Sequence, residues 1–168
     1  MIHLNIGSNL NSTHGSRFDN ISIAIQLLIE AKIQIEKISN FYETPSYPNK
    51  KFPHYLNIGI LCSFNENPEI LFKIIKSIEK KIGRFKTKKN DPRVCDIDII
   101  DYNGEIIHRK LGKHILNIPH KRMHNRNFVL FPLYELDKDW VHPKLNNNIV
   151  ILMSNLTSDQ LLGIKIAQ

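Results

Sequence analysis

The chain has 168 residues, 42% of them hydrophobic, which predicts one globular domain with a core large enough to need no disulfide or metal support. Lysine and arginine total 23 against 16 aspartate and glutamate, so the formal net charge of +7 favours an anionic partner, either a nucleotide or a nucleic acid. The two cysteines, Cys62 and Cys95, lie in apolar runs without disulfide-framework or metal-site spacing, and we expect buried, reduced thiols.

Neither a secretion signal nor a membrane span is evident in the sequence. The first residues lack a basic stretch followed by an apolar one, and no apolar run approaches the ~18 residues that a span requires. We therefore expect a cytoplasmic protein with no membrane partner.

The first half of the chain alternates strand and helix patterns. Ile2, Leu4 and Ile6 alternate with polar residues as in a strand, and a helical repeat of apolar residues follows from about 16 to 31. Residues 33–42 predict a second strand, which ends in the proline-containing loop 44–48, and residues 55–64 predict a third.

The second helix has clear signals at both ends. Asn67, Pro68 and Glu69 supply an N-cap, a first-turn proline and an early acid, and Gly83 is a typical stop. We therefore expect a helix between Asn67 and Gly83.

The most informative segment is the apolar and acidic strand at 93–100. A strand has a two-residue period, so Asp96 and Asp98 share one face with α-carbons roughly 6–7 Å apart, while Ile97 faces the core. Such a pair could hold one hard cation or two Mg²⁺ ions. The alternative is an edge strand with a merely solvated acidic face.

A basic segment runs directly into this strand. Arg84 and Arg93 enclose Lys86, Lys88 and Lys89, and such cations could hold phosphate oxygens. Acid and base together suggest a Mg-nucleotide site, although the lysines could also form a solvated charge run.

The remaining elements complete the predicted fold. Asn103 and Gly104 form a hairpin signal, with 106–108 as the return strand. The element order is β-α-β-β-α-β, so we expect an α+β fold with a ferredoxin-like core, an added β-hairpin and a C-terminal extension of short helices.

Several separated motifs fit one family pattern, and they are listed here in chain order: 7–10 (GSNL), 42–45 (YETP), 55–57 (YLN), Glu79 with 83–84 (GR), 92–93 (PR) with 96–98 (DID), 119–120 (PH), Arg126 and 128–130 (FVL). Together they resemble the 6-hydroxymethyl-7,8-dihydropterin pyrophosphokinase family of folate biosynthesis, over residues 2 to about 143. The resemblance implies a single pyrophosphokinase domain over 1–168 that transfers the β,γ-diphosphate of ATP to a dihydropterin and releases AMP.

The resemblance also implies a role for individual residues. Two Mg²⁺ ions would bind Asp96 and Asp98, and these aspartates with Arg84 and Arg93 would form the catalytic set. The implied ATP-binding residues are Glu79, Arg84, Arg93, His120 and Arg126. The implied pterin-binding residues are Thr44, Pro45, Tyr55, Asn57 and Phe128. The expected partners are ATP and dihydropterin, with no nucleic acid, for a monomer.

Two other functions remain open at this point. A ferredoxin-like topology with excess positive charge is typical of RNA-binding modules, but the aromatic RNA-binding signature is missing, and two aspartates on a central strand would repel phosphates unless metal ions intervened. A metal-dependent nucleotidyltransferase or nuclease would also use an acidic pair with arginines, but it does not account for the motif at 55–57.

Overall fold

The computed structural model of the chain describes residues 1–47, 49–83 and 91–167. Its strands, in chain order, are β1 (Ile2–Ser8), β2 (Gln34–Ile38), β3 (Tyr42–Thr44), β4 (Tyr55–Ser63), β5 (Asp96–Tyr102), β6 (Ile107–Leu111), β7 (His114–Ile118) and β8 (Lys165–Ile166). Its α-helices are α1 (Arg17–Glu30), α2 (Pro68–Ile82), α3 (Asn127–Leu136), α4 (Ile149–Ser154) and α5 (Ser158–Leu162).

The main sheet is antiparallel, with strand order β5-β1-β4-β3-β8, and β2 also pairs with β4. Helices α1 and α2 cover one face and share a core with the apolar sides of β1, β4 and β5. Helices α3 and α4 pack around Trp140 in a second cluster, and α3 lies against the other face of the sheet at Gly59. The fold is therefore a mixed α/β fold with helices on both faces of the sheet.

The predicted limits of α2 are confirmed. The Asn67 side chain accepts a hydrogen bond from the backbone N–H of Ile70, and Gly83 ends the helix in the left-handed conformation with φ of 109°. A side chain would strain the backbone there, which is why glycine suits the stop. Cys62 and Cys95 are free and buried, also as predicted.

The segment predicted as one second strand is split into β2 and β3. Between them, the backbone N–H of Gly59 donates to the Ser39 hydroxyl (2.9 Å) in place of a backbone carbonyl, and the N–H of Asn40 turns away to the Glu135 carboxylate. A side chain thus substitutes for one link of the ladder, and the strand is interrupted.

The predicted return strand at 106–108 is wrong in its pairing. Asn103 and Gly104 both adopt positive φ, as a tight turn requires, but β6 pairs with β7 in a separate two-stranded sheet. The edge of β5 that does not pair with β1 cannot accept β6, because other groups already bond to it. The Ile97 N–H donates to Glu79, and the Ile100 carbonyl accepts from the His120 N–H. The added hairpin is therefore β6–β7.

Candidate active site

One row of paired residues runs from the acidic strand β5, at the edge of the sheet, through β1 to β4. Asp96 pairs with Gly7 and Gly7 pairs with Asn57, while Asp98 pairs with Asn5 in the next row. Directly opposite residues of antiparallel strands share a face. Because Asn5 also pairs with Gly59, which contacts α3, the two aspartates face the α3 side of the sheet.

The aspartates are accessible and lie next to two arginines and a histidine. The side chains of Asp96 and Asp98 are 22% and 28% exposed, whereas Ile97 between them is 2% exposed. The Arg93 guanidinium forms an ion pair with Asp96. Asp98 Oδ2 lies 3.7 Å from Arg126 Nη1 and 3.9 Å from His120 Nε2. The structure thus brings five of the sequence-predicted residues into one place.

His120 and Arg126 differ in how they carry charge at this position. Burial lowers the pKa of His120 below its ordinary value, and the Asp98 carboxylate offsets part of this effect. Its Nδ1 accepts the backbone N–H of Arg122 (3.3 Å), so the neutral ring carries its proton on Nε2, the atom nearest Asp98. Burial also lowers the pKa of Arg126, but a guanidinium remains charged in proteins.

Four of the residues expected to bind the pterin lie on or directly after β3 and β4, which β1 separates from the acidic strand β5. Thr44 and Asn57 are buried on β3 and β4, and Asn57 Nδ2 donates to Thr44 Oγ1 at 3.4 Å. Tyr55 pairs with Thr44, and both Tyr55 and Pro45 are half-buried. Asn57 Oδ1 lies against Gly7, where a Cβ would approach it to 2.8 Å. A side chain at position 7 would therefore force the Asn57 amide to shift.

Phe128 lies in the first turn of α3 and is half-buried. The Arg126 guanidinium carbon lies 5.3 Å from the centre of its ring, within the range of a cation–π contact. This contact connects an expected pterin residue to an expected ATP residue on one short segment.

Glu79 holds the acidic strand from the side. It is 2% exposed, its Oε1 accepts the Ile97 backbone N–H (2.9 Å), and its Oε2 pairs with Lys76 Nζ (2.7 Å). Since Ile97 lies between the two aspartates, this hydrogen bond fixes the strand segment that presents them. A direct contact between Glu79 and ATP remains a prediction, and Arg84 lies outside the described residues.

Sequence reasoning gave no role to Asn9, although it lies in one of the family motifs. Asn9 is 1% exposed, accepts the Arg93 N–H through Oδ1 (2.6 Å), and donates through Nδ2 to Ser46 and to the Pro53 carbonyl, both at 3.2 Å. The one indication in the sequence was its place, a polar residue in a turn directly after a buried strand. Its partners could not be read from the sequence.

A cleft of about 640 Å³ borders the site on the α1 side. The described residues that line it include Asn9, Glu43 and His54, and the last two precede Thr44 and Tyr55 in the chain. Arg17 also lines the cleft, and it donates to the His54 carbonyl (2.6 Å) and to Glu43 (3.1 Å).

A sequence model of the 7,8-dihydro-6-hydroxymethylpterin-pyrophosphokinase (HPPK) family matches residues 3–138. The chain belongs to this family. The matched range includes every expected site residue of this HPPK-family chain, and it ends before α4 and α5.

Two named relatives match this chain over most of their own length, and a third matches it over a small part. The 2-amino-4-hydroxy-6-hydroxymethyldihydropteridine pyrophosphokinase of Aquifex aeolicus is 35% identical over 142 residues, which cover 84% of this chain and 83% of that protein. The enzyme of the same name from Synechocystis is 33% identical, over 90% of this chain and 73% of that protein. The folic acid synthesis protein of Dictyostelium discoideum is 38% identical over 87% of this chain, but the chain spans only 21% of it.

Solved structures of similar fold come from Plasmodium falciparum HPPK-DHPS. The wild-type protein with pteroate has a TM-score of 0.67 at 19% identity, over 91% of this chain and 41% of that chain. A second wild-type structure has a TM-score of 0.69 at 17% identity, over 91% of this chain and 44% of that one. This chain therefore has the fold of one part of those longer chains.

Within the part of the chain that the structure describes, no helix is both long and apolar enough to cross a bilayer.

Proposed function

We propose that this protein transfers the diphosphoryl group of ATP to the hydroxymethyl oxygen of 6-hydroxymethyl-7,8-dihydropterin and releases AMP, a step of tetrahydrofolate biosynthesis. The observation that carries the proposal is the cluster of Asp96, Asp98, Arg93, His120 and Arg126 on one face of the sheet, in a chain of the HPPK family. Two carboxylates surrounded by two arginines and a histidine suit a metal-bound polyphosphate better than a purely acidic or a purely basic site would.

The aspartates fit Mg²⁺, and we propose two ions. Among the residues that the structure describes, no group of three or more acids, histidines or cysteines forms a complete metal cage. Mg²⁺ is usually held by one or two carboxylates together with substrate phosphates, so the pair Asp96 and Asp98 is sufficient. Bound there, the ions would neutralise phosphate charge and lower the pKa of the substrate hydroxyl.

On the ATP side, the side chains around the aspartates would contact the nucleotide and its phosphates. Arg93 is held beside Asp96 and would contact the phosphates, joined by Arg84 from the basic segment. Arg126 and neutral His120 would contact the nucleotide near Asp98, and Glu79 completes the ATP set. Arginine suits this role because its planar fork binds phosphate oxygens in pairs.

The pterin would lie between the sheet and α3. Phe128 and Tyr55 offer aromatic faces for stacking, and the Asn57 amide can both donate to and accept from the polar edge of the ring. Thr44 and Pro45 would form the wall beside Asn57, to which Thr44 is hydrogen-bonded.

The reaction needs positioning more than covalent chemistry from the protein. The hydroxymethyl oxygen bonds to the β-phosphorus while the bond from that phosphorus to the α–β bridging oxygen breaks, so AMP leaves and the hydroxyl proton passes to solvent. In-line alignment and charge neutralisation dominate such transfers. Arg93 and Arg126 would supply the charge neutralisation here, and the residues that bind the two substrates would supply the alignment.

We further propose that residues 1–168 form one pyrophosphokinase domain, with a ferredoxin-like core, the β6–β7 hairpin and a C-terminal helical extension. The strand order β5-β1-β4-β3 supports this interpretation of the core. That the protein is a cytoplasmic monomer without a nucleic-acid partner remains a prediction from the sequence.

The test is to incubate the protein with Mg-ATP and 6-hydroxymethyl-7,8-dihydropterin and to separate the nucleotides. AMP that forms only when the dihydropterin is present supports the proposal. ADP would indicate transfer of a single phosphate. Hydrolysis of a polynucleotide would favour the metal-dependent nuclease, and salt-dependent retention of RNA without Mg-ATP would favour the RNA-binding module.

A further inference from the structure

The segment 157–167 lies outside the range that the family model matches, yet it contacts both sides of the proposed substrate pocket. On one side, β8 extends the sheet by pairing with β3: Ile166 pairs with Tyr42 and Lys165 with Glu43. Lys165 Nζ also lies 3.2 Å from the Glu43 carboxylate. The strand that ends at Thr44 therefore has a neighbour on each edge.

On the other side, α5 holds the segment that carries Arg126 and Phe128. Gln160 Nε2 donates to the main-chain carbonyl of Asn125 (2.8 Å), and Asn127 Nδ2 donates to the main-chain carbonyl of Gln160 (2.6 Å). Residues 125 and 127 flank Arg126, so the two bonds enclose it.

The backbone of Phe128 is fixed at both ends by this arrangement. Its N–H donates to Asn127 Oδ1 (2.7 Å), the same side chain that reaches Gln160. Its carbonyl accepts from the Asn5 amide (3.0 Å), oriented so that its nitrogen also faces the Ile58 carbonyl. Asn5 is the register partner of Asp98, so the position of Phe128 is tied to the acidic strand as well.

We propose that segment 157–167 is a clamp on the substrate pocket, with Gln160 as a positioning residue for Arg126 and Phe128. The proposal rests on the proposed function, because that function gives these two residues their substrates. Gln160 would contact neither ATP nor the dihydropterin. Its side chain acts through Asn125, and its main-chain carbonyl acts through Asn127.

One substitution separates the clamp from the helix cap. Gln160 Oε1 accepts the Thr157 N–H (3.0 Å) in a capping box, while Nε2 makes the Asn125 contact. Glutamate is equally suited to the capping box, so Gln160→Glu retains the cap and the main-chain contact with Asn127, while it removes the donor to Asn125 and places a carboxylate oxygen against that carbonyl. Leu162→Ala is the control, because Leu162 lies on the same helix and is 86% exposed.

The experiment compares wild type, Gln160→Glu and Leu162→Ala in two measurements: hydrogen exchange of the Phe128 amide and the dissociation constant of 6-hydroxymethyl-7,8-dihydropterin with a non-hydrolysable Mg-ATP analogue. We expect faster exchange and about tenfold weaker dihydropterin binding in Gln160→Glu alone, at an unchanged melting temperature. Unchanged exchange, or faster exchange with unchanged binding, overturns the clamp. A wild-type protein that binds no dihydropterin overturns the proposed function, whereas the exchange measurement still shows whether Gln160 holds Phe128.

Discussion

Asn9 and Arg93 are joined by two reciprocal hydrogen bonds: the Arg93 N–H donates to Asn9 Oδ1 (2.6 Å), and the Asn9 N–H donates to the Arg93 carbonyl (3.0 Å). The turn after β1 thereby holds the backbone of the arginine that pairs with Asp96. The same Asn9 side chain reaches Ser46 and Pro53, so one buried amide connects the phosphate side of the proposed site to the loop after β3.

Replacing Asn9 by alanine should therefore affect both stability and turnover. We expect a loss of about 1–3 kcal/mol in the free energy of unfolding, because buried partners are left unpaired, and a lower kcat because Arg93 is no longer held. Asn11→Ala is the matched control, since Asn11 is exposed in the same turn. Chemical unfolding and steady-state kinetics measure the two effects; a variant with reduced stability but wild-type kcat would show that Asn9 does not position Arg93.

Asp96→Ala and Asp98→Ala should each reduce AMP formation by about 10²-fold or more, because each removes a proposed metal ligand. Their ion pairs are partly exposed, so the free energy of unfolding should change by no more than about 1 kcal/mol. Asp139→Ala, which alters an exposed acid, is the control. Wild-type turnover in both aspartate variants would refute the assigned metal site.

Gly7→Ala should weaken dihydropterin use selectively. The new Cβ would lie 2.8 Å from Asn57 Oδ1, so the amide must shift, and we expect the KM for dihydropterin to rise about tenfold at an unchanged KM for ATP. Gly59→Ala gives a useful contrast, because its Cβ would meet Leu136 and Pro132 at 2.9 Å and should destabilise the protein without favouring either substrate. An equal change in both KM values of Gly7→Ala would contradict the position assigned to the pterin.

The stability of the protein should fall in mild acid partly through His142. Burial, and next the neighbouring His124, lower the pKa of His142, whose Nδ1 accepts the N–H groups of Lys144 (3.2 Å) and Leu145 (3.3 Å). The unfolded chain then binds a proton near its ordinary pKa of about 6.5 that the folded protein does not bind. The stabilisation is thus present above this pH and is lost as the pH falls toward the lower folded-state pKa.

His142→Asn retains an acceptor near Nδ1 but cannot bind the proton. Urea unfolding of both proteins from pH 7.5 to 5 should show a smaller loss of unfolding free energy in the variant, by at most about 1.4 kcal/mol per pH unit. Parallel curves would exclude His142 as a contributor.

The sequence predicted best what depends on neighbours along the chain. The limits of α2 follow from Asn67 and Gly83, which act within one turn, and the shared face of Asp96 and Asp98 follows from the strand period alone. The pairing of β6 depended instead on distant groups that occupy the edge of β5, namely Glu79 and His120. No local pattern records such competition.

The candidate site shows the same division. A role for Asp96 and Asp98 as metal ligands remains a prediction. That they share a face was readable, because it follows from the two-residue period of a strand. The contacts of Asn9 and Gln160 were not, because Asn9 reaches a backbone 84 residues away and Gln160 one 35 residues away. Side-chain to backbone bonds of that separation carry no periodicity in the sequence. The two-residue strand β8 is too short to show any.

The most direct measurement follows the β-phosphorus of ATP. With ATP labelled at that position, Mg²⁺ and 6-hydroxymethyl-7,8-dihydropterin, we expect the label to move to the pterin while unlabelled AMP accumulates in equal amount. Label that stays in ADP, or that appears as free pyrophosphate without a labelled pterin, would contradict it.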